Sequence, residues 1–369
     1  MNSTITSHAR LTGLTLTIAV LFTACTKDRG DVYKPVPVAT LGVYVLTEGA
    51  YGAANNSKIA YYNTTTGVTD QDFYKSINNA NLGTNANDLK QYGRKMYCVV
   101  TGTTFAAKDS YLEVINTATG KSIKRIALST ATAGFLPRYI IFDKSKAYIS
   151  AYDGSITKID TANLTIESRI QVGGALEQMA IVNNKLYTVS SAHYLFGTAN
   201  DSSVSVVDLA NFTKIQDIAV GYNPTKITAN ASGDLLVLTK GDYVNLLPSV
   251  DKINTITNVK VSTISNLSLE FLSITGSNGF AIGDYLDPFL KNINISTGAP
   301  TANFVTDGTV VASPYGVTFN PLDNTYFIAD ANNYGAEGKV FCFTEAGKKT
   351  YQFTTGANPQ SAVFNYKYF

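Results

Sequence analysis

Between Val220 and Gly241 the chain reads VGYNPTKITANASGDLLVLTKG, and the reading of this stretch decides the fold. A Gly-x-x-Pro turn leads into a short strand, and the apolar run LLVLT then follows and stops at a polar Lys-Gly. The same apolar run ending in a turn recurs as VYVLTEG from Val43, MYCVVTG from Met96, AYISAYDG from Ala147 and LYTVSS from Leu186. It continues as LLVLTKGD from Leu235, GFAIGDY from Gly279 and YFIADAN from Tyr326, seven copies in all. Behind each comes another strand ending in Asn, Asp, Thr or Gly, such as SKIAYYNTTTG, SYLEVINTATG and SVDKINTITN, with the alternation and turn chemistry of a β-hairpin. Ahead of most copies lies a strand led by a turn close to Gly-x-x-Pro, at Gly83, Gly134, Gly174, Gly221 and Gly356, with degenerate versions at 266–271 and 312–315.

A unit of roughly 40–50 residues with three or four short strands is the period of a propeller blade. The first unit has its strand at Val43 but no inner strand before it, and residues 359–364 have no later partners. The spacing therefore predicts an all-β, seven-bladed β-propeller over 41–369, closed by the C-terminal strand completing the first blade. Closure removes the exposed sheet edge that an open array would leave.

Composition agrees with this reading. The 369 residues include 23 Tyr, 18 Phe and 28 Gly but no Trp, a usage suited to twisted strands and tight turns. At 45% hydrophobic and 15% charged, the chain is too apolar for disorder. Its 29 Lys and Arg against 27 Asp and Glu supply no basic field to hold nucleic acid.

Residues 11–24 (LTGLTLTIAVLFTA) form an apolar stretch behind a single Arg, which reads as a secretory signal over 1–24. The stretch ends in Leu21-Phe22-Thr23-Ala24-Cys25, which resembles a bacterial lipobox, so Cys25 is the expected lipidation site and mature N-terminus. More than one acyl chain suffices for stable anchoring, so membrane contact is expected through the lipid anchor only. Residues 25–40, with two Pro within VYKPVPVAT, read as the anchor Cys and an extended spacer. Outer-membrane attachment is the expected location, with the cell surface and the periplasmic face both open. Cys98 and Cys342 lie far apart in apolar runs and read as buried free thiols.

Units such as VGYNPTKITANASGDLLVLTKG and SVSVVDLANFTKIQDIAVG resemble the YncE-like (YVTN-type) seven-bladed β-propellers of bacteria over nearly the whole mature chain. The first two blades, from Val43 to Val100, resemble more narrowly a group of propeller lipoproteins that includes the cobalamin-capturing surface protein BtuG. The resemblance implies a lipid-anchored cell-envelope module that captures a small nutrient-like ligand, a corrinoid as the leading case. It also implies a partner, an outer-membrane transporter of the TonB-dependent type. No ligand contact carries across, because the shared motifs build blades, and the absence of Trp departs from any mode in which indoles cover a planar ligand.

Catalytic chemistry finds little support. His8 falls in the signal, so His193 is the only histidine of the mature chain, and neither a His-rich metal site nor a His pair for acid-base work can be assembled. Nothing in SSAHYLFG around His193 matches a nucleophile elbow or a Cys-His arrangement, and the phosphate-binding Gly-Lys loop is absent. Propellers that hold a quinone rely on repeated Trp and on His or Asp ligands, so no cofactor and no metal are expected. A carboxylate-based lyase or hydrolase stays open as an alternative, although no spacing singles out a pair.

Binding chemistry finds more. In a propeller the loops after each second strand and the turns leading into each inner strand open on one face around the axial channel. The loop set holds an aromatic in every copy: Tyr51, Phe105, Tyr152, Tyr194, Tyr243, Tyr285 and Tyr334. Two readings stay open, rings that cap the edge between blades and rings that contact a ligand with both an apolar face and a hydroxyl. The position after the lead-in turn gives a second ring, Asn87, Arg138, Glu177, Thr225, Glu270, Tyr315 and Gln360, all polar or amphipathic. An aromatic rim over a polar floor suits a neutral ligand rich in hydroxyls or amides, a description that corrinoids and glycans both meet. Glu48, Asp109, Asp153, Asp201, Asp242, Asp284, Asp287 and Asp330 lie in the same loops with few bases such as Lys108 and Lys240, which disfavours a strongly anionic ligand. A protein-interaction scaffold with no small-molecule ligand is the other alternative.

Overall fold

The second strand of each blade is apolar at consecutive positions because it has no solvent face. In the computed structural model, which describes residues 35–50, 53–193, 201–335 and 337–369, Leu235–Thr239 is buried along its whole length. Lys95–Val100 and Lys146–Ala151 are buried at all but their first residue, so each is covered on both faces. Burial falls away from the axis, and the outer strand Thr165–Gln171 is mostly exposed. This gradient explains why the second strands carry the clearest repeat.

The strands form seven four-stranded antiparallel sheets. Blades 2 to 7 run in order over 86–127, 137–171, 175–219, 224–265, 269–303 and 314–356. Blade 1 is composite: Pro359–Tyr368 is its inner strand, followed outward by Pro37–Thr47, Lys58–Asn63 and Thr69–Asp70. The ring is thus closed by the C-terminal strand, as the unmatched ends of the repeat predict. The strand begins at Pro37, ahead of Leu41, because Pro37, Ala39 and Thr40 find partners in Tyr368, Lys367 and Tyr366.

One apolar cluster fills each interface between neighbouring blades. Between blades 7 and 1 it joins Phe327, Val340, Cys342 and Phe353 to Val43, Val45, Ala362 and Phe364, so closure is made by core packing as well as by strand pairing. Cys98 and Cys342 are free and buried, and burial raises both thiols above their ordinary pKa, which leaves them unreactive.

Two local features go beyond the repeat. Blade 1 keeps an outer strand of only two residues, and the short helix Phe73–Asn78 follows it, packing Phe73 at a tilt against Tyr61 at 4.8 Å and Tyr44 at 5.6 Å. The turns after the third strands are held by an Asn or Asp whose carboxyl or amide oxygen accepts two backbone N–H groups. Asn63, Asn116, Asp160, Asp208, Asn254 and Asn294 do this in blades 1 to 6. Among the described residues no helix is long and apolar enough to cross a membrane. Cys25, Tyr51 and Tyr194 lie outside the described residues.

Candidate functional site

Every inner strand begins with a β-bulge. Ala86 pairs with Val100 but Asp88 with Val99, and the same slip occurs in all seven blades, on the closing strand between Pro359 and Ala362. A bulge frees its extra residue from the ladder and re-aims it. The seven polar-ring residues fall in these bulges, and all seven line a single axial cavity of about 1080 Å³.

Half of that ring is closed on itself. The Asn87 amide donates to the Arg138 carbonyl at 2.5 Å, and Arg138 Nε donates to Glu177 Oε2 at 3.1 Å. The other Glu177 oxygen accepts from the Tyr152 hydroxyl at 2.7 Å, while the Arg138 guanidinium lies 4.7 Å from the Tyr152 ring centre. Burial alone would lower the Arg138 pKa, but Glu177 and the two neighbouring tyrosines outweigh it and hold the guanidinium charged. Across the channel the Tyr315 hydroxyl donates to Glu48 Oε2 at 2.7 Å, and burial lifts the Glu48 carboxyl above the ordinary carboxylate range.

The residue following the ring position contributes a second tier that the sequence reading did not single out. Lys226 donates to the Tyr139 hydroxyl and lies 4.8 Å from that ring's centre. Asp88 Oδ2 accepts from Ile140 N at 3.0 Å, and Gln178 Oε1 accepts from Ile227 N at 3.0 Å. Each therefore caps the open inner edge of the next blade. The bulge is the missing signal: without it, alternation sends these residues to the opposite face from the first tier. Counting all cavity-lining charges, Lys90, Arg138, Lys226 and Lys240 stand against Glu48, Asp88, Glu177, Glu270 and Asp284, close to neutrality.

The aromatic set divides. Tyr285 and Tyr334 line the mouth, 69% and 53% exposed. Tyr243 is 79% exposed and lies outside the cavity lining. Tyr152 is 7% exposed and packs with Leu136, Ala175 and Phe105, the packing that the inter-blade reading describes. Its hydroxyl is spent on Glu177, and its ring also meets His193 at 4.6 Å. Several loop acids expected to colour the mouth serve the backbone instead. Asp330 accepts from Ala312 N, Ser313 N and Asn332 N, and Asp242 from Val244 N, Asn245 N and Leu246 N. Among the described residues no group of His, Cys, Asp and Glu is arranged to hold a metal ion.

No protein-family model and no curated protein matches the chain. Solved structures do. A quinoprotein alcohol dehydrogenase-like protein from Bacteroides thetaiotaomicron superposes with a TM-score of 0.64 at 14% identity, covering 88% of this chain and 78% of that one. A 6-phosphogluconolactonase-like protein from Bacteroides fragilis gives 0.58 at 12% identity over 88% and 98%. A dihydro-heme d1 dehydrogenase in complex with DHE gives 0.55 at 9% identity over 90% and 76%. At such identities the likeness establishes the propeller fold alone.

Proposed function

We propose that this β-propeller is a lipid-anchored binding module of the cell envelope that captures a small neutral ligand at the mouth of its axial channel. The observation that carries the reading is the convergence of seven equivalent bulge residues on one cavity of about 1080 Å³ with nearly balanced charge. A volume just above the usual range of roughly 300–1,000 Å³ favours a large ligand. Balanced charge favours one that binds through hydroxyls or amides. A corrinoid is the leading case on the resemblance of the first two blades, with a glycan sharing the same chemistry. The enzyme alternative gains no support from Glu48 and Glu177, each committed to a neighbour, or from Glu270, which is paired with Lys240.

A transporter partner is part of the same proposal. Val244 and Leu247 stand exposed on the Tyr243 loop of blade 5, and Leu286 on a loop of blade 6, all outside the cavity lining, where a docking protein would cover them.

A thermal-shift screen against corrinoids, oligosaccharides and peptides tests the reading, because a ligand that binds only the native state raises Tm by mass action. A rise with a corrinoid or oligosaccharide supports it. A shift with peptides alone would turn the assignment to a protein-interaction scaffold. The anchor is tested separately: Cys25→Ser should release the protein from membranes or leave the precursor uncleaved, whereas Cys98→Ser should not. An unchanged membrane fraction for the Cys25 variant would remove lipidation from the proposal.

A further inference from the structure

The mouth is not used evenly, and the asymmetry has a chemical consequence. Blades 2, 3 and 4 present Asn87, Arg138 and Glu177, which are hydrogen-bonded to one another or to Tyr152. On the opposite arc, blades 5, 6 and 1 present Thr225, Glu270 and Gln360, with Glu270 Oε1 on Lys240, and blade 7 presents Tyr315, whose hydroxyl donates to Glu48. Five buried side-chain polar atoms lack a hydrogen bond among the described residues, and of these Thr225 Oγ1 alone belongs to a cavity-lining residue. An orphaned buried hydroxyl costs stability that burial of a methyl group in its place would not.

Glu270 is set up differently but to the same effect. Lys240, whose side chain is only 10% exposed, donates to the Leu269 carbonyl at 2.6 Å and to Glu270 Oε1 at 2.8 Å. Burial pulls the Lys240 pKa down, against the pull of Glu270, so a costly buried amine is retained beneath this carboxylate. The Glu270 side chain is itself 50% exposed at the mouth, with Oε1 on Lys240. Burial and, secondarily, the charge of nearby Glu270 raise the Tyr243 and Tyr334 phenols above their ordinary range, and Tyr285 and Tyr334 line the cavity with Glu270. The orphaned hydroxyl, the half-exposed carboxylate and the exposed rings therefore fall on one arc.

We propose that the ligand sits off-axis on the arc of blades 5, 6, 7 and 1, with Thr225 and Glu270 as the specificity-determining residues. Its body lies against the Tyr285 and Tyr334 rings, and hydrogen-bond donors on its periphery, hydroxyl or amide N–H, are accepted by Glu270 and, once rotation about χ1 turns its solvent-shielded Oγ1 out of the wall, by Thr225. This inference rests on the channel-mouth reading above and sharpens it: the ligand must carry an apolar face fringed by donors, which describes both a saccharide and an amide-fringed macrocycle.

Titration calorimetry on the parent, Thr225→Val and Glu270→Gln, with cyanocobalamin in one arm and maltoheptaose in the other, tests it and separates the two sources. The arm that gives heat with the parent identifies the source. Glu270→Gln should weaken that ligand roughly 10- to 100-fold, the scale of a hydrogen bond to a charged group, and Thr225→Val by a few-fold to about tenfold. Thr225→Val has no internal partner to lose, so its Tm should stay level or rise while affinity falls, a pairing that a merely structural residue would not produce. Parent-like affinity in both variants would overturn the inference and leave the channel-mouth reading standing. Absence of binding by the parent to either probe would overturn both.

Discussion

Glu48 illustrates how a single residue in the channel wall responds to its surroundings. Burial raises its carboxyl above the ordinary value of 4.5, with the Tyr315 hydrogen bond and Arg138 acting in the opposite direction. The folded state therefore binds this proton more tightly than the unfolded chain does. Stability from Glu48 is full below the unfolded pKa and is lost as pH rises through that value towards the raised folded one. Glu48→Gln keeps an acceptor for Tyr315 and has no proton to lose. Its stability relative to the parent should climb across that window, read from urea midpoints between about pH 4 and about pH 8. A difference independent of pH would show that Glu48 ionisation is not linked to folding. Tyr152 gives the complementary case: Tyr152→Phe removes the donor to Glu177 Oε1 and leaves a buried carboxylate oxygen unpaired. A loss of about 1–3 kcal/mol is expected, measured as a lower Tm. An undiminished Tm would mean that the hydroxyl is not a structural group.

At the scale of the element, the turns after the third strands show why the repeat tolerates so much sequence variation. In blades 1 to 6 the turn takes one side-chain oxygen at its first position, and either Asn or Asp supplies it. Asp160 adds charge to that role. Its hydrogen bonds from Lys146 Nζ at 2.7 Å and from the backbone N–H groups of Asn163 and Ala162 hold its pKa at about 2, below the ordinary 3.8. A depressed carboxylate contributes stability above its unfolded pKa and loses it as pH falls through the folded one. Asp160→Asn keeps the turn but loses one of the two carboxylate partners of Lys146, the other being Glu167. The parent should therefore exceed the variant in stability at neutral pH and converge with it as pH falls from about 4 towards about 2, followed by acid titration of circular dichroism. A constant gap down to the lowest pH would place the stabilisation in the turn geometry alone.

For the whole molecule, closure is the feature with the largest expected effect. Pro359–Tyr368 supplies the inner strand of blade 1, and Ala362 and Phe364 belong to the apolar cluster between blades 7 and 1. Removing residues 359–369 leaves Pro37–Thr47 with an open edge and empties part of that interface. The truncated protein should melt many degrees lower or fail to accumulate, rather than fray at one end. A truncated chain that melts with the parent would show that the ring does not depend on its final strand.

The repeat of apolar second strands, the lead-in turns and the unmatched ends determined the blade number, the closed ring and the polar ring at the mouth. Those features follow from local pattern: a strand buried on both faces must be apolar throughout, and a turn must carry residues that can make it. What only the tertiary structure decided is which groups are free to act. Asn87, Arg138 and Glu177 read as the equals of Thr225 and Glu270 in sequence, yet the first three are tied to one another or to Tyr152, Glu270 pairs with Lys240, and Thr225 Oγ1 has no partner among the described residues. Tyr152 and Tyr285 occupy the same place in the repeat, yet one is buried against Leu136 and Ala175 and the other stands in the mouth. Hydrogen bonds and burial between blades join residues tens of positions apart, and no local pattern records which side chain a neighbouring blade will claim.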